Sequence, residues 1–214
     1  MQVEKRMKPD PITVRPEDFF RQAMTLIRQR GIRHLPVVQG DRLVGIVTDR
    51  DIRQASPSPA TSLEIHELHY LLEKVRIHEI MTKKVYSVAP DTPIEEAARL
   101  MLTHKIGGLP VLKEGTLVGI LTETDILRAF MEVMGIQQEQ TRLELVLEDR
   151  PGAFLEVCRI IQEQGGDIIS VVTAMAARHG EQTKVLIFRL EGVQVEPLVA
   201  QLETDGHTVL SATT

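Results

Sequence analysis

The chain has 214 residues, 43% of them apolar and 26% charged, with a formal net charge of −5; it can bury a core without a metal or disulfide staple and is too acidic for a broad nucleic-acid footprint. A lone cysteine, Cys158, excludes a disulfide framework and a Cys-rich zinc site, and aromatics at 3% with no Trp leave no stacking platform for single strands. No run approaches the roughly 20 apolar residues of a membrane span, and MQVEKRMKPDP lacks a signal-peptide core, so a reduced, cytoplasmic compartment is expected, with neither membrane nor nucleic acid as partner.

Residues 7–55 and 81–129 align without a gap at an offset of 74, with 17 identities in 49 positions. One supersecondary unit therefore occurs twice. In chain order each copy reads as strand, helix, strand, strand, helix. Short strands at Ile12–Val14 and Tyr86–Val88 run into Pro16 and Pro90. In the first helix the apolar stripe is Phe19, Phe20, Ala23 and Ile27; in its repeat it is Ile94, Ala97, Ala98 and Met101. Thr92 is expected to cap the repeated helix, with Pro93 at its first position and Glu95 completing a capping box. Strands follow at Leu35–Val38 and Leu43–Val47, and again at Leu109–Leu112 and Leu117–Leu121. The last helices begin near Asp49 and Glu123. Met7, Met24, Met81 and Met101 read as packing residues.

Between the copies, Ser56–Thr61 is rich in proline, and Ser62–Arg76 reads as a bridging helix. His66 and His69 have metal-ligand spacing there, although an exposed helix face explains them better, and no metal is expected. After a linker at 135–141 the pattern changes. Leu143, Leu145 and Leu147 alternate as a strand, and Asp149–Gly152 forms a turn. Phe154, Val157, Cys158 and Ile161 mark a helix stopped by Gly165-Gly166. Ile168–Ala176 and Lys184–Leu190 are strands around a hairpin at Arg178-His179-Gly180, then a helix at Val195–Leu202 and a strand at Thr208–Ser211. This is the βαββαβ, ferredoxin-like order. Cys158 reads as core; His179 and His207 read as solvated turn residues. Residues 141–214 carry the whole net charge of −5, whereas residues 1–55 are at +4. That bias suits a small anionic ligand, or is an ordinary solvated surface.

The constellation richest in chemistry is Gly45-x-x-Thr48-x-x-Asp51, repeated as Gly119-x-x-Thr122-x-x-Asp125. A strand ends and a helix begins at each, which offers free N–H groups to phosphate, and the carboxylate one turn on could accept both hydroxyls of a ribose. Arg50 lies in the same turn. Thr-x-x-Asp is also a capping box, and duplication copies caps as faithfully as sites.

The phrases His34-Leu35-Pro36-Val37-Val38 and Leu43-Val44-Gly45-Ile46-Val47-Thr48-Asp49-Arg50-Asp51, with their second copies, strongly resemble a pair of CBS domains over residues 1–134. The resemblance implies repeats at 1–56 and 78–134, joined by a loop and helix at 57–77. It implies a cleft for an adenosine-type ligand: AMP, ADP, ATP, NAD or S-adenosylmethionine. By position Asp51 and Asp125 would hold ribose hydroxyls, and Thr48 and Thr122 phosphate or ribose oxygen. Arg30, His104 and Lys105 precede the Leu-Pro strands, where some members contact phosphates; Gly31, at the place of Lys105, departs from that pattern. The phrase Asp149-Arg150-Pro151-Gly152-Ala153-Phe154 with Gly165-Gly166-Asp167-Ile168 resembles an ACT domain over 142–214. This implies pairing between copies and, less directly, a small-molecule site near Gly152, Ala153 and Asp167.

The fold class expected is thus mixed α/β and α+β: a tandem CBS pair followed by a βαββαβ unit. The domain order and the phrase Thr48–Ser58 resemble acetoin-utilisation accessory proteins. They imply a non-enzymatic regulator of acetoin or butanediol use, a homodimer or higher homo-oligomer, needing no cofactor beyond a regulatory nucleotide. The alternatives are a ligand-free scaffold for a protein target and, with no catalytic set in view, a hydrolase.

Overall fold

The structure is a computed structural model and describes residues 1–55, 74–136, 140–148, 150–178 and 181–214, with the side chains of 176–178 and 181–182 excepted. Residues 56–73 of the bridging segment, including His66 and His69, and residues Asp149 and His179 lie outside the described residues. The chain divides into two compact units, Met1–Ile126 and Leu127–Thr214.

The first unit holds both repeats up to the first turn of the last helix. Strand β1 is Lys8–Pro9, helix α1 Phe20–Arg30, β2 His34–Gln39, β3 Arg42–Thr48 and α2 Asp49–Ala55. After a short helix α3, Ile77–Ile80, come α4 at Ile94–His104, β4 at Gly108–Lys113, β5 at Thr116–Thr122 and α5 at Glu123–Val133. The hairpins β2–β3 and β4–β5 repeat residue for residue, with Pro36 opposite Ile46 and Pro110 opposite Ile120. They join through Arg42 and Thr116 into one five-stranded sheet.

Each repeat is completed by the segment that precedes the other. Val3 donates its N–H to Thr92 O, and Ile94 donates to Met1 O; at the equivalent places Ile77 donates to Asp18 O and Phe20 to Val75 O. Val3 and Ile77 are both fully buried. Ile77 joins Phe20, Ala23, Leu35, Val37 and Val47 in the core of the first repeat. Lys8–Pro9 pairs with β5, as Thr82 bridges to Ile46 of β3. Here Gly45 and Gly119 leave room for a methionine from the other side. A Cβ on Gly45 would lie 2.5 Å from Met81 Sδ, and one on Gly119 2.4 Å from Met7 Sδ.

Several expected local features fall differently. The strands at Ile12–Val14 and Tyr86–Val88 reduce to single parallel bridges, Val14 to Val37 and Val88 to Val111, because the prolines two residues on divert the chain. Pro93 occupies the N-cap of α4, and no side-chain capping bond forms. The Thr92 hydroxyl instead accepts from Ala89 N–H, as Asp18 Oδ2 accepts from Arg15 N–H in the first repeat. Both side chains close the turn before the helix. Phe19 is 41% exposed, and the Arg76 guanidinium lies 3.7 Å above its ring. Arg76 is extended and precedes α3, so it is not part of the helix expected over 62–76.

The second unit contains β6 Thr141–Val146, α6 Ala153–Glu163, β7 Asp167–Arg178, β8 Glu181–Glu191, α7 Val195–Thr204 and β9 Val209–Thr213. The fully antiparallel sheet runs β7-β8-β6-β9, the βαββαβ order read from the sequence. Leu143, Leu145, Val157, Ile161, Phe188 and Leu198 are among its buried core. Cys158 packs against that core, and burial pushes its thiol pKa up. One expectation of solvation fails, and the expected linker is not an open one. His207 is buried after α7, and Gln140, in the expected linker, is buried and donates to Glu191 Oε1 at 3.1 Å. Gly135 is likewise buried, beside Ser170, whose hydroxyl donates to Met134 O at 2.6 Å.

Candidate functional site

At the end of β3 the chain turns into α2, and Thr48 meets Asp51. Asp51 Oδ2 accepts from Thr48 N–H at 2.8 Å and from the Thr48 hydroxyl at 2.7 Å, while Asp51 N–H reaches Thr48 Oγ1 at 3.3 Å. Asp125 Oδ2 takes the same two bonds from Thr122, at 2.9 and 2.6 Å. The first copy is therefore a complete capping box, and in the second Asp125 caps Thr122 through the same two bonds. The cap also fixes the rotamer of each aspartate.

Thr48 and Asp51 open onto a cleft of about 440 Å³ within the first unit. Arg50 lines it beside them. From the second repeat come Lys84, Tyr86, Lys105 and the Gly107-Gly108 backbone. Arg33, His34 and Arg53 line it as well, with Asp49 as the other carboxylate. Arg53 holds Asp49 at 2.8 Å, and Arg33 donates to the Thr124 hydroxyl at 3.3 Å. The lining thus carries five cationic side chains against two carboxylates, one of which is paired.

His34 is placed by its repeat partner. Position 108, the equivalent of 34, is glycine, and a Cβ there would lie 2.9 Å from His34 Cδ2. The imidazole fills the space a side chain would take. Burial lowers its pKa from the ordinary histidine range, Arg33 adds to the fall, and Asp49, Glu123 and Asp51 oppose it.

The other residues singled out from the sequence fall in different places. Thr122 and Asp125 do not line this cleft. His104 stacks on Tyr86, ring centroids 3.8 Å apart and 17° from parallel, and is outside the lining although Tyr86 is within it. Arg30 is exposed at the end of α1 and also outside it. In the second unit Gly152 is the left-handed N-cap of α6, Ala153 is buried, and Asp167 begins β7 opposite Glu191. Arg150 grips Glu156 through both terminal nitrogens at 2.9 and 2.5 Å, and Glu148 at 2.6 Å. These bonds hold the Glu156 carboxyl below its usual range and raise the guanidinium further. Arg33, His34, Lys84 and Tyr86 escaped the sequence reading. Their signal was the offset itself: Lys84 faces Asp10, and Tyr86 faces Ile12, across an otherwise parallel alignment.

The family model for the CBS domain matches residues 2–58 and 77–132. The chain belongs to the CBS-domain family. Inosine-5'-monophosphate dehydrogenase of Korarchaeum cryptofilum is 35% identical over 137 residues, 64% of this chain but only 26% of that enzyme. A CBS domain-containing protein of Dictyostelium discoideum is also 35% identical, over 62% of this chain and 92% of its own length. Among solved structures, a Vibrio cholerae protein named for acetoin utilization (AcuB) is 33% identical with a TM-score of 0.53, covering 65% of this chain and 96% of its own. A CBS domain pair in complex with 5'-methylthioadenosine and S-adenosyl-L-methionine is 30% identical with a TM-score of 0.52, over 62% of this chain and 97% of its own. CBSX2, in complex with AMP, is 30% identical with a TM-score of 0.51, over the same shares. The CBS relatives include binders of adenosine compounds, and the match to the dehydrogenase spans about a quarter of that enzyme. No helix among the described residues is long and apolar enough to cross a membrane.

Proposed function

We propose that the protein is a non-enzymatic regulator whose CBS pair senses an adenosine nucleotide in the cleft at Asp51. The observation that carries this reading is the cleft itself: a rotamer-fixed aspartate in the first turn of a helix, an aromatic ring at Tyr86 and a surplus of cations converge on one cavity. A ribose offers paired hydroxyls to a carboxylate, and a phosphate offers acceptors to lysine and arginine. The complexes of related pairs with AMP and with S-adenosylmethionine support the adenosine class. Likeness to the Vibrio cholerae protein supports a role in acetoin or butanediol use. The βαββαβ order and the turn at Arg150-Pro151-Gly152 support an ACT-like second unit that pairs copies into a homodimer in the cytoplasm. Gly152, Ala153 and Asp167 are its candidate ligand contacts, while Thr122 and Asp125 belong to a second, equivalent position.

Thermal-shift titration with AMP, ADP, ATP, NAD and S-adenosylmethionine tests the reading. A ligand that binds only the native state adds about 2.7 kcal/mol at a hundred times its Kd. The expected result is a melting point that climbs with one of these compounds and stops climbing in Asp51→Ala. No shift with any of them overturns the reading in favour of a ligand-free scaffold, for which the fully bonded Thr48–Asp51 cap is the supporting observation.

A further inference from the structure

The duplicated unit contains its own control. Applying the 74-residue offset to the lining of the Asp51 cleft yields the lining expected of its counterpart at Asp125. Lys84 becomes Asp10, Lys105 becomes Gly31, Arg50 becomes Thr124, Arg53 becomes Leu127 and Arg33 becomes Gly107. The ribose-type pair survives in both copies with nearly the same geometry. In the other direction Thr82 becomes Lys8 and Gly107 becomes Arg33, so five cations against two carboxylates become two cations against three carboxylates. The backbone adds a separate observation. Gly31 and Lys105 both end a helix in the left-handed region, at φ 60 and φ 54. Glycine adopts that conformation without cost, whereas lysine does not. The second repeat thus places a lysine where the fold favours glycine, and its side chain lines the cleft.

We infer that the Asp51 cleft is selective for a phosphorylated adenosine, one molecule per chain, with Lys84 and Lys105 setting the selectivity. The inference rests on the adenosine reading above and narrows it. A phosphate monoester brings roughly −1.5 to −2 charges near neutral pH, which the cationic surplus of the lining favours. A sulfonium compound such as S-adenosylmethionine brings a positive charge into the same field. An uncharged thioether nucleoside gains nothing from it. The Asp125 position, with Asp10 in place of Lys84, does not attract the same anion.

The test is calorimetric titration of the full chain with AMP, adenosine, 5'-methylthioadenosine and S-adenosylmethionine, repeated on Lys84→Asp/Lys105→Gly, which installs the residues of the other repeat. Both positions are exposed, and a melting curve verifies that the variant folds; Lys84→Gln supplies a second, milder variant. AMP is expected to bind at least about tenfold more tightly than adenosine, through charge-assisted bonds. The stoichiometry is one, and the margin shrinks with added salt. In the double variant the margin disappears while adenosine affinity stays. Any of the other three binding as tightly as AMP overturns the selectivity and leaves the adenosine reading standing. Two equivalent AMP sites, or a margin that survives the double variant, overturn the assignment to this cleft and these lysines. Failure of all four to bind overturns the adenosine reading itself.

Discussion

Lys105 stands where the other repeat has a glycine, and His34 fills the space that a glycine of the other repeat leaves open. Lys105 holds the left-handed conformation that Gly31 holds at the equivalent turn, and an L-residue there costs about 1 kcal/mol or more. Lys105→Gly is therefore expected to raise stability by up to about 1 kcal/mol while weakening AMP binding, with melting and titration moving in opposite directions. His34 fills the space above Gly108. Its pKa is lowered by burial first and Arg33 second. The unfolded chain then binds the proton more readily than the folded one, so stability rises with pH across the interval between the two pKa values. The contribution is complete above the ordinary histidine pKa of about 6.5 and is lost as pH falls from there through the lower folded value. His34→Gln should flatten that slope in urea melts between about pH 5 and 7. An unchanged slope would place the titration elsewhere. The caps add a third expectation. Thr48→Ala and Thr122→Ala remove equivalent bonds, each worth about 1 kcal/mol of stability, yet only Thr48→Ala should lower nucleotide affinity.

At the scale of elements, the two hairpins were legible because turn, proline and apolar alternation are all local. The helix starts after Thr48 and Thr122 were legible for the same reason. The exchange of leading segments was not. Val3 and Ile77 serve cores far from them in sequence, and nothing in residues 1–9 or 76–82 reveals which repeat they complete. Thr92 was misread because a hydroxyl two residues before a helix can bond forward or backward with equal chemistry. His207 and Gln140 were misread because polar residues at element ends are buried only by tertiary neighbours. The cleft was half legible. Thr48, Asp51, Arg50 and Lys105 carry a pattern, whereas Lys84 and Tyr86 show only as departures from the repeat. The exchange makes a sharp expectation. Ile77→Ala leaves a cavity in the first repeat and should cost about 2–5 kcal/mol. Gly45→Ala drives a methyl into Met81 and should cost about 1–3 kcal/mol, relieved in part when Met81→Ala is added. Additive losses in that double variant would mean the two do not touch.

For the whole molecule the question is how an occupied cleft reaches the second unit. The cleft wall bears on the first turn of α5: Glu123 donates its N–H to Gly107 O at 3.1 Å, and Arg33 donates to Thr124 at 3.3 Å. Helix α5 runs across the division between the units, and just beyond its end Met134 O accepts the Ser170 hydroxyl on β7. The second unit has a core drawn from its own residues, so it has the means to unfold as a separate step. A ligand transmits only if it favours one of two arrangements, and linkage then appears as stabilisation away from the site. Saturating AMP is expected to delay hydrogen exchange in the first unit and also in β7 around Ser170. In Ser170→Ala the first effect should persist and the second fade, since the handle on Met134 is gone. Protection of β7 that is indifferent to AMP would confine the nucleotide's influence to the CBS pair and make the second unit a passive pairing module. Protection that survives Ser170→Ala would route the coupling through other contacts of α5.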